Sequence, residues 1–225
     1  ENDNNENLPS IDYEECDQQL RETSFDDKKY MELLTSQLAI AHEMQGVFII
    51  GNTGVGKSLI GNILLGKKVT KDPNNYSFSY QIENEIFKIG NEHQSMTLIP
   101  QAVRINDDPK SNGGLCIVDC PGFNDTDVKI EKYNELGIQL MIQSCSLIKA
   151  ILLPISYNSI FSRELKYFNM KSLLKYLDIL FRDHEKLKSV FLIIITDVPN
   201  EVTIEIIQSK LTQTMNSNDQ YYPLY

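Results

Sequence analysis

Residues 46–58 read GVFIIGNTGVGKS. The four apolar residues Val47, Phe48, Ile49 and Ile50 have the pattern of a buried strand, and they run straight into a glycine-rich turn followed by a helix-like stretch. Gly51, Gly56, Lys57 and Ser58 fit the pattern G-x-x-x-x-G-K-[ST] in the strand–turn–helix context it requires. Glycines at this spacing let successive backbone N–H groups point into one concavity, and the helix start adds the positive end of its dipole. A triphosphate suits such a cradle, whereas a neutral ligand gains little from it. The expected lining is Asn52, Thr53, Gly54, Val55, Gly56, Lys57, Ser58 and Leu59, with Lys57 along the β and γ phosphates and the Ser58 hydroxyl on Mg²⁺.

Outward from this loop the pattern alternates. Strands are expected near 115–118, 150–155 and 190–195, and helices near 129–147, 161–184 and 202–215. Alternation of this kind predicts an α/β fold: a doubly wound, mostly parallel sheet, its strands buried on both sides by helices. Residues 66–105 are less regular and read as a long loop flanking one or two edge strands. Before the loop, Tyr30, Leu33, Leu34, Leu38 and Ala41 recur at helical spacing, with Ser24 and Asp27 resembling a capping box. The expected organisation is a polar tail over 1–23, an amphipathic helix within 24–45, and one domain over 46–225 from whose pattern a closing helix is missing. The helix either packs on its own domain or serves as a docking arm.

Composition narrows the partners. A formal charge of −10 argues against nucleic acid or an anionic membrane as the main partner, because both are bound by neutralising phosphates with Lys and Arg. No apolar run approaches bilayer-spanning length; the strongest covers only 190–195. The four cysteines show neither zinc spacing nor a disulfide framework, with Cys16 and Cys145 isolated, which points to a reducing, cytoplasmic setting. The acidic residues from Glu131 to Glu135 read as a solvated helix face rather than a metal site. His42 and His184 read as helix-surface residues, while His93 lies in the irregular segment within reach of a ligand there.

A second motif, Asp119-Cys120-Pro121-Gly122-Phe123, closes the strand at 115–118. An acid at the carboxyl end of a parallel strand sits where such sheets bind ligands and can hold magnesium through water. Gly122 offers a bare N–H to a γ phosphate with no side chain in the way. Together with Ser95-Met96-Thr97, the two motifs resemble the septin-related P-loop GTPases, especially the immunity-associated nucleotide-binding type. The likeness covers 47–200 and is specific in the phosphate half. It implies a G domain binding GTP or GDP with Mg²⁺, held by Ser58, Thr97 and Asp119. Lys57, Thr97 and Gly122 would serve catalysis, Thr97 closing on the γ phosphate as the switch threonine; Thr70 competes for that role.

The base-reading motif of that family departs here: the strand at 190–195 is followed by Thr196, Asp197, Val198 and Pro199. Thr196 fits a relaxed version, and Asp197 would bond the guanine from a shifted position. Phe123 stands where related proteins use a glutamine to orient water, and Thr53 crowds the γ-phosphate side. Slow hydrolysis stimulated by a homodimer or an effector protein, with Asn124 or a group in trans assisting, is the expectation. A nucleotide-binding interaction protein that hydrolyses negligibly and an ATP-using P-loop enzyme remain the alternatives.

Overall fold

The computed structural model describes residues 26–71, 80–89, 97–105, 114–123, 128–161, 177, 180 and 191–209. The expected polar tail, Ser24, Cys16, His93, Ser95, Asn124, His184 and most of the helix expected over 161–184 lie outside them. The elements are α1 (Asp27–Ala41), β1 (Gln45–Ile49), α2 (Lys57–Leu64), β2 (Val69–Lys71), β3 (Tyr80–Ile82), β4 (Gln101–Ile105), β5 (Leu115–Asp119), α3 (Val128–Ser144), β6 (Leu147–Ser156), α4 (Tyr157–Phe161) and β7 (Phe191–Thr196). A further helical stretch covers 204–209.

Five strands form one sheet in the order β4-β5-β1-β6-β7. β5, β1, β6 and β7 run parallel, and β4 joins β5 antiparallel. Pleating sorts the side chains into two cores. Phe48, Ile50, Cys116, Val118, Ile151 and Leu153 face one side with Ile138 and Met141 of α3. Ile49, Ile117 and Leu152 face the other, with Phe87 and Ile60 of α2. Helices therefore cover both faces, as the alternation predicts. The exception is β7, where Leu192 and Ile193 are exposed, so its strand is not buried on both sides as expected.

Several boundaries differ from the sequence reading. α1 begins at Asp27 with Asp26 as its cap, the Asp26 carboxylate accepting from the N–H groups of Lys28 and Lys29. α3 ends at Ser144, and β6 starts at Leu147, three residues earlier than periodicity indicates. His42 is the residue that closes α1, its N–H bonded to the Leu38 carbonyl. β2 and β3 pair only with each other, as a ribbon apart from the main sheet.

α1 covers the outer edge of β4. Tyr30, Leu33 and Leu34 pack with Leu98 and Ile99, and the Tyr30 hydroxyl donates to the Tyr133 carbonyl of α3 at 2.6 Å. Gln37 is buried, and its Oε1 accepts from the Ala102 N–H of β4 at 2.7 Å. The Arg104 Nε donates to the Ile40 carbonyl at 3.1 Å. An edge strand's free N–H and C=O groups are a template for pairing with another chain, and α1 answers that liability side chain by side chain. Gln37→Leu leaves the Ala102 N–H buried without that acceptor, so it should lower stability by about 1–3 kcal/mol in urea unfolding; an unchanged midpoint would mean that α1 does not bind the edge in solution.

Candidate functional site

β1, β5, β6 and β7 are parallel, so their carboxyl ends share one edge of the sheet, and the motif residues collect there. At that edge β1 leaves the sheet at Gly51. A Cβ on Gly51 would come to 3.0 Å from the Pro154 carbonyl of β6, so a side chain there would require the neighbouring backbone to give way. Gly54 and Gly56 have φ of 81° and 84°, the left-handed region that glycine adopts without cost. Gly56 then caps α2, whose first turn carries Lys57, Ser58 and Leu59. The loop's conformation follows from three glycines in two ways: Gly51 for space, Gly54 and Gly56 for backbone angle.

Lys57 is buried, and its Nζ donates to the Asn52 carbonyl at 2.8 Å across the loop. Burial lowers its pKa from the ordinary lysine value, opposed by the nearby Asp119 carboxylate. An incoming phosphate would supply the negative charge that restores the ammonium, and its oxygens can replace the carbonyl as acceptors.

Asp119 is fully buried at the end of β5. Its Oδ2 accepts from the Ser58 hydroxyl at 2.7 Å and from the Thr97 hydroxyl at 3.3 Å. Its Oδ1 is buried without a hydrogen-bond partner. Burial raises its pKa to about 6, against the opposing pull of Lys57, Ser58 and Thr97. Two hydroxyls and one carboxylate, whose second oxygen has no hydrogen-bond partner, are the hard oxygen donors that Mg²⁺ takes, with water and phosphate completing its shell. These residues fit the cation that the motifs imply: Ser58 and Thr97 would hold it directly and Asp119 through water, and when bound it would neutralise charge between phosphates.

Thr97 and Thr70 separate clearly. Thr97 is buried on Asp119, whereas Thr70 is exposed on the β2–β3 ribbon and bonds the Gln81 carbonyl. Gly122 lies against the loop: a Cβ there would overlap Thr53, at 2.7 Å from its Cα. Asn52 and Phe123 form a parallel bridge, with Phe123 N–H to the Gly51 carbonyl at 3.4 Å and Thr53 N–H to the Phe123 carbonyl at 3.5 Å. The Phe123 side chain points into the core beside α3 rather than into the site. Thr196 and Asp197 stand at the end of β7, two strands from the loop; Asp197 is exposed with φ of 53°, and Thr196 Oγ1 lies 3.5 Å from its carboxylate.

One residue of this region escapes motif reading. Asn62, fully buried on α2, donates to the Ser58 and Phe87 carbonyls at 3.0 and 2.6 Å. Its Oδ1 accepts from the Ile86 and Phe87 N–H groups at 2.9 and 3.2 Å. It thus ties the stretch after β3 to the phosphate helix, while the Phe87 ring fills the space over Gly61. A polar residue one turn beyond Ser58, on the buried side of a helix, was the available signal. Glu131 and Glu135 lie on α3, half-exposed, Glu135 accepting from Gln139.

This sheet order, with the loop and the acid on adjacent strand ends, is the G-domain fold of P-loop GTPases. No protein-family model matches the chain, and no curated protein matches it in sequence. Among solved structures, a dimerisation-deficient mutant of Toc33 from Arabidopsis thaliana shares the fold, with TM-score 0.50 and 16% identity over 87% of this chain and 71% of that one. Toc33 from Arabidopsis thaliana in complex with GDP and Mg²⁺ gives 0.45 at 17% identity, over 87% and 71%. A structure from work on dimerisation and GTPase activity in the chloroplast translocon components atToc33 and psToc159 gives 0.45 at 16%, over 86% and 68%. Among the described residues no helix is long and apolar enough to cross a membrane.

The Asp119 value yields a pH test. An unfolded aspartate titrates near 3.8 and the folded one near 6, so the charged form is disfavoured in the fold. Its stabilising contribution is full below about pH 4 and is lost as pH rises through 6, leaving a relative cost of about 2–3 kcal/mol above that. In metal-free protein, Asp119→Asn should therefore raise the melting temperature at pH 8, with the gain vanishing between pH 6 and 4. A variant equally displaced at both pH values would contradict this.

Proposed function

We propose that the chain is a guanine-nucleotide-binding switch protein with slow, Mg²⁺-dependent GTP hydrolysis, controlled by dimerisation or by a partner. The observation that carries the proposal is the shared Asp119 carboxylate, on which the phosphate-loop Ser58 and Thr97 from the long irregular segment converge. A Mg²⁺–triphosphate would take over these hydroxyls, so occupancy of the phosphate site would be felt directly by the segment leading to Thr97. This is the arrangement by which γ phosphate orders a loop and its loss releases it.

In this reading Asn52 to Leu59 bind the phosphates, Lys57 and the Gly122 N–H stabilise charge at the γ phosphate, and Ser58, Thr97 and Asp119 serve Mg²⁺. Thr196 and Asp197 would read the base, Asp197 from its left-handed position at the strand end. Slow turnover is supported by Phe123, whose side chain is committed to the core and carries no group able to orient water. The same observation favours a second reading, an interaction protein that keeps nucleotide as a structural ligand. Control by a second copy draws support from Toc33, a protein of the same fold for which a dimerisation-deficient mutant is known. Assignment to the immunity-associated type rests on the three motifs, and a cytoplasmic setting on the free thiols of Cys116, Cys120 and Cys145. We read α1 and the residues after Gly46 as one folding unit.

Nucleotide released on denaturing the purified protein should be GDP or GTP, and titrations with Mg²⁺ should show GTP and GDP bound at least tenfold more tightly than ATP. An ATP preference would support an ATP-using enzyme instead. Lys57→Ala should weaken nucleotide binding about 100-fold, consistent with losing one charge-assisted contact of about 2–3 kcal/mol. Thr97→Ala should weaken triphosphate binding more than diphosphate; equal losses would leave the structural-ligand reading, as would the absence of multiple turnover.

A further inference from the structure

Among the described residues, β2 and β3 pair with each other and not with the main sheet. The stretch after β3 bonds to itself, with Ile89 N–H on the Glu85 carboxylate at 2.6 Å, and it meets α2 at Asn62. The Asn62 amide has no spare capacity there. Its nitrogen gives both hydrogens to carbonyls, those of Ser58 and Phe87, and its oxygen takes the N–H groups of Ile86 and Phe87. Phe87 locks the junction from the other side: its ring is fully buried with Ile49, Ile117 and Leu152, and it occupies the space of any side chain at Gly61.

One of the four partners belongs to the site. Ser58 lies in the first turn of α2, its carbonyl on Asn62 and its hydroxyl on Asp119 at 2.7 Å. The loop before it is held by other contacts, Lys57 on the Asn52 carbonyl and Phe123 N–H on the Gly51 carbonyl. Asn62 therefore bears on the hydroxyl and not on the phosphate cradle. We propose that Asn62 is a positioning residue for Ser58, clamping the first turn of α2 to the stretch after β3 in every nucleotide state so that the Ser58 hydroxyl is presented to Mg²⁺. This role rests on Ser58 serving Mg²⁺, as proposed for the site. It divides the chain between α2 and β4 into two parts: Ile86 and Phe87 stay fixed on α2, while Thr97, whose hydroxyl bonds Asp119, responds to the ligand.

The test compares GDP affinity in EDTA with that in saturating Mg²⁺ for the wild-type chain, Asn62→Ala, Ser58→Ala and the double variant. Asn62→Ala should keep the affinity in EDTA within about twofold of wild type and raise the Mg²⁺ concentration for half of the metal's effect about tenfold, as removing a partner that orients a metal ligand does. The double variant should be no worse than Ser58→Ala alone, because Asn62 acts through Ser58. Equal losses with and without Mg²⁺, or additive losses in the double variant, would overturn the role. Amide hydrogen exchange of the wild-type chain tests the clamp without any substitution. Ile86 and Phe87 should exchange slowly, and at the same rate without nucleotide, with GDP and with a non-hydrolysable GTP analogue. Fast exchange at these amides, or protection that changes with nucleotide, would also overturn the proposal. A wild-type chain that binds no guanine nucleotide would remove the Mg²⁺ role of Ser58 and this one with it, and the two amides would then report whether the clamp itself holds.

Discussion

A carboxylate buried at the end of β5 organises the site. Asp119 is removed from water, where a charge is costly, and its Oδ2 is stabilised by hydroxyls from two segments distant in sequence. Because the same oxygen serves Ser58 and Thr97, the phosphate loop and the segment before β4 are coupled through one atom. The second oxygen is buried without a hydrogen-bond partner. Keeping that oxygen buried and unpartnered lowers the stability of the fold.

The sheet explains why these groups meet. Parallel strands deliver their carboxyl ends to one edge, so a glycine turn after β1 and an acid after β5, adjacent in the order β4-β5-β1-β6-β7, become neighbours. The pairing continues past the strands themselves: the Asn52–Phe123 bridge zips the acid-bearing turn onto the phosphate loop. Gly122 must be glycine for that approach, since Thr53 occupies the space of any side chain. Phe123 anchors the far side of the turn in the core, which fixes the backbone and removes the side chain from chemistry.

Around this edge, two buried amide side chains satisfy backbone groups withdrawn from water. Gln37 satisfies the outer edge of β4, and Asn62 bonds four backbone groups between α2 and the stretch after β3. Asn134 of α3 is the contrast, its amide buried without a partner. Helix α1 is integral to this scheme, because β4 would otherwise present an open edge.

Much of this was legible in the sequence, where local rules suffice. Glycine spacing located the tight turn between β1 and α2, because the positive backbone angles at Gly54 and Gly56 are ones glycine adopts freely. Continuous apolar runs located β1 and β5 and period-3.6 patterns α1 and α3, since burial on a strand or helix follows the geometry of that element. Other assignments required the fold. Thr97 and Thr70 look alike in sequence, yet Thr97 reaches Asp119 while Thr70 bonds the Gln81 carbonyl; and Asn62 is an ordinary helical asparagine until Phe87 packs over it. Such contacts join residues separated by tens of positions, and they depend on strand order and the crossing of elements, which no local periodicity encodes.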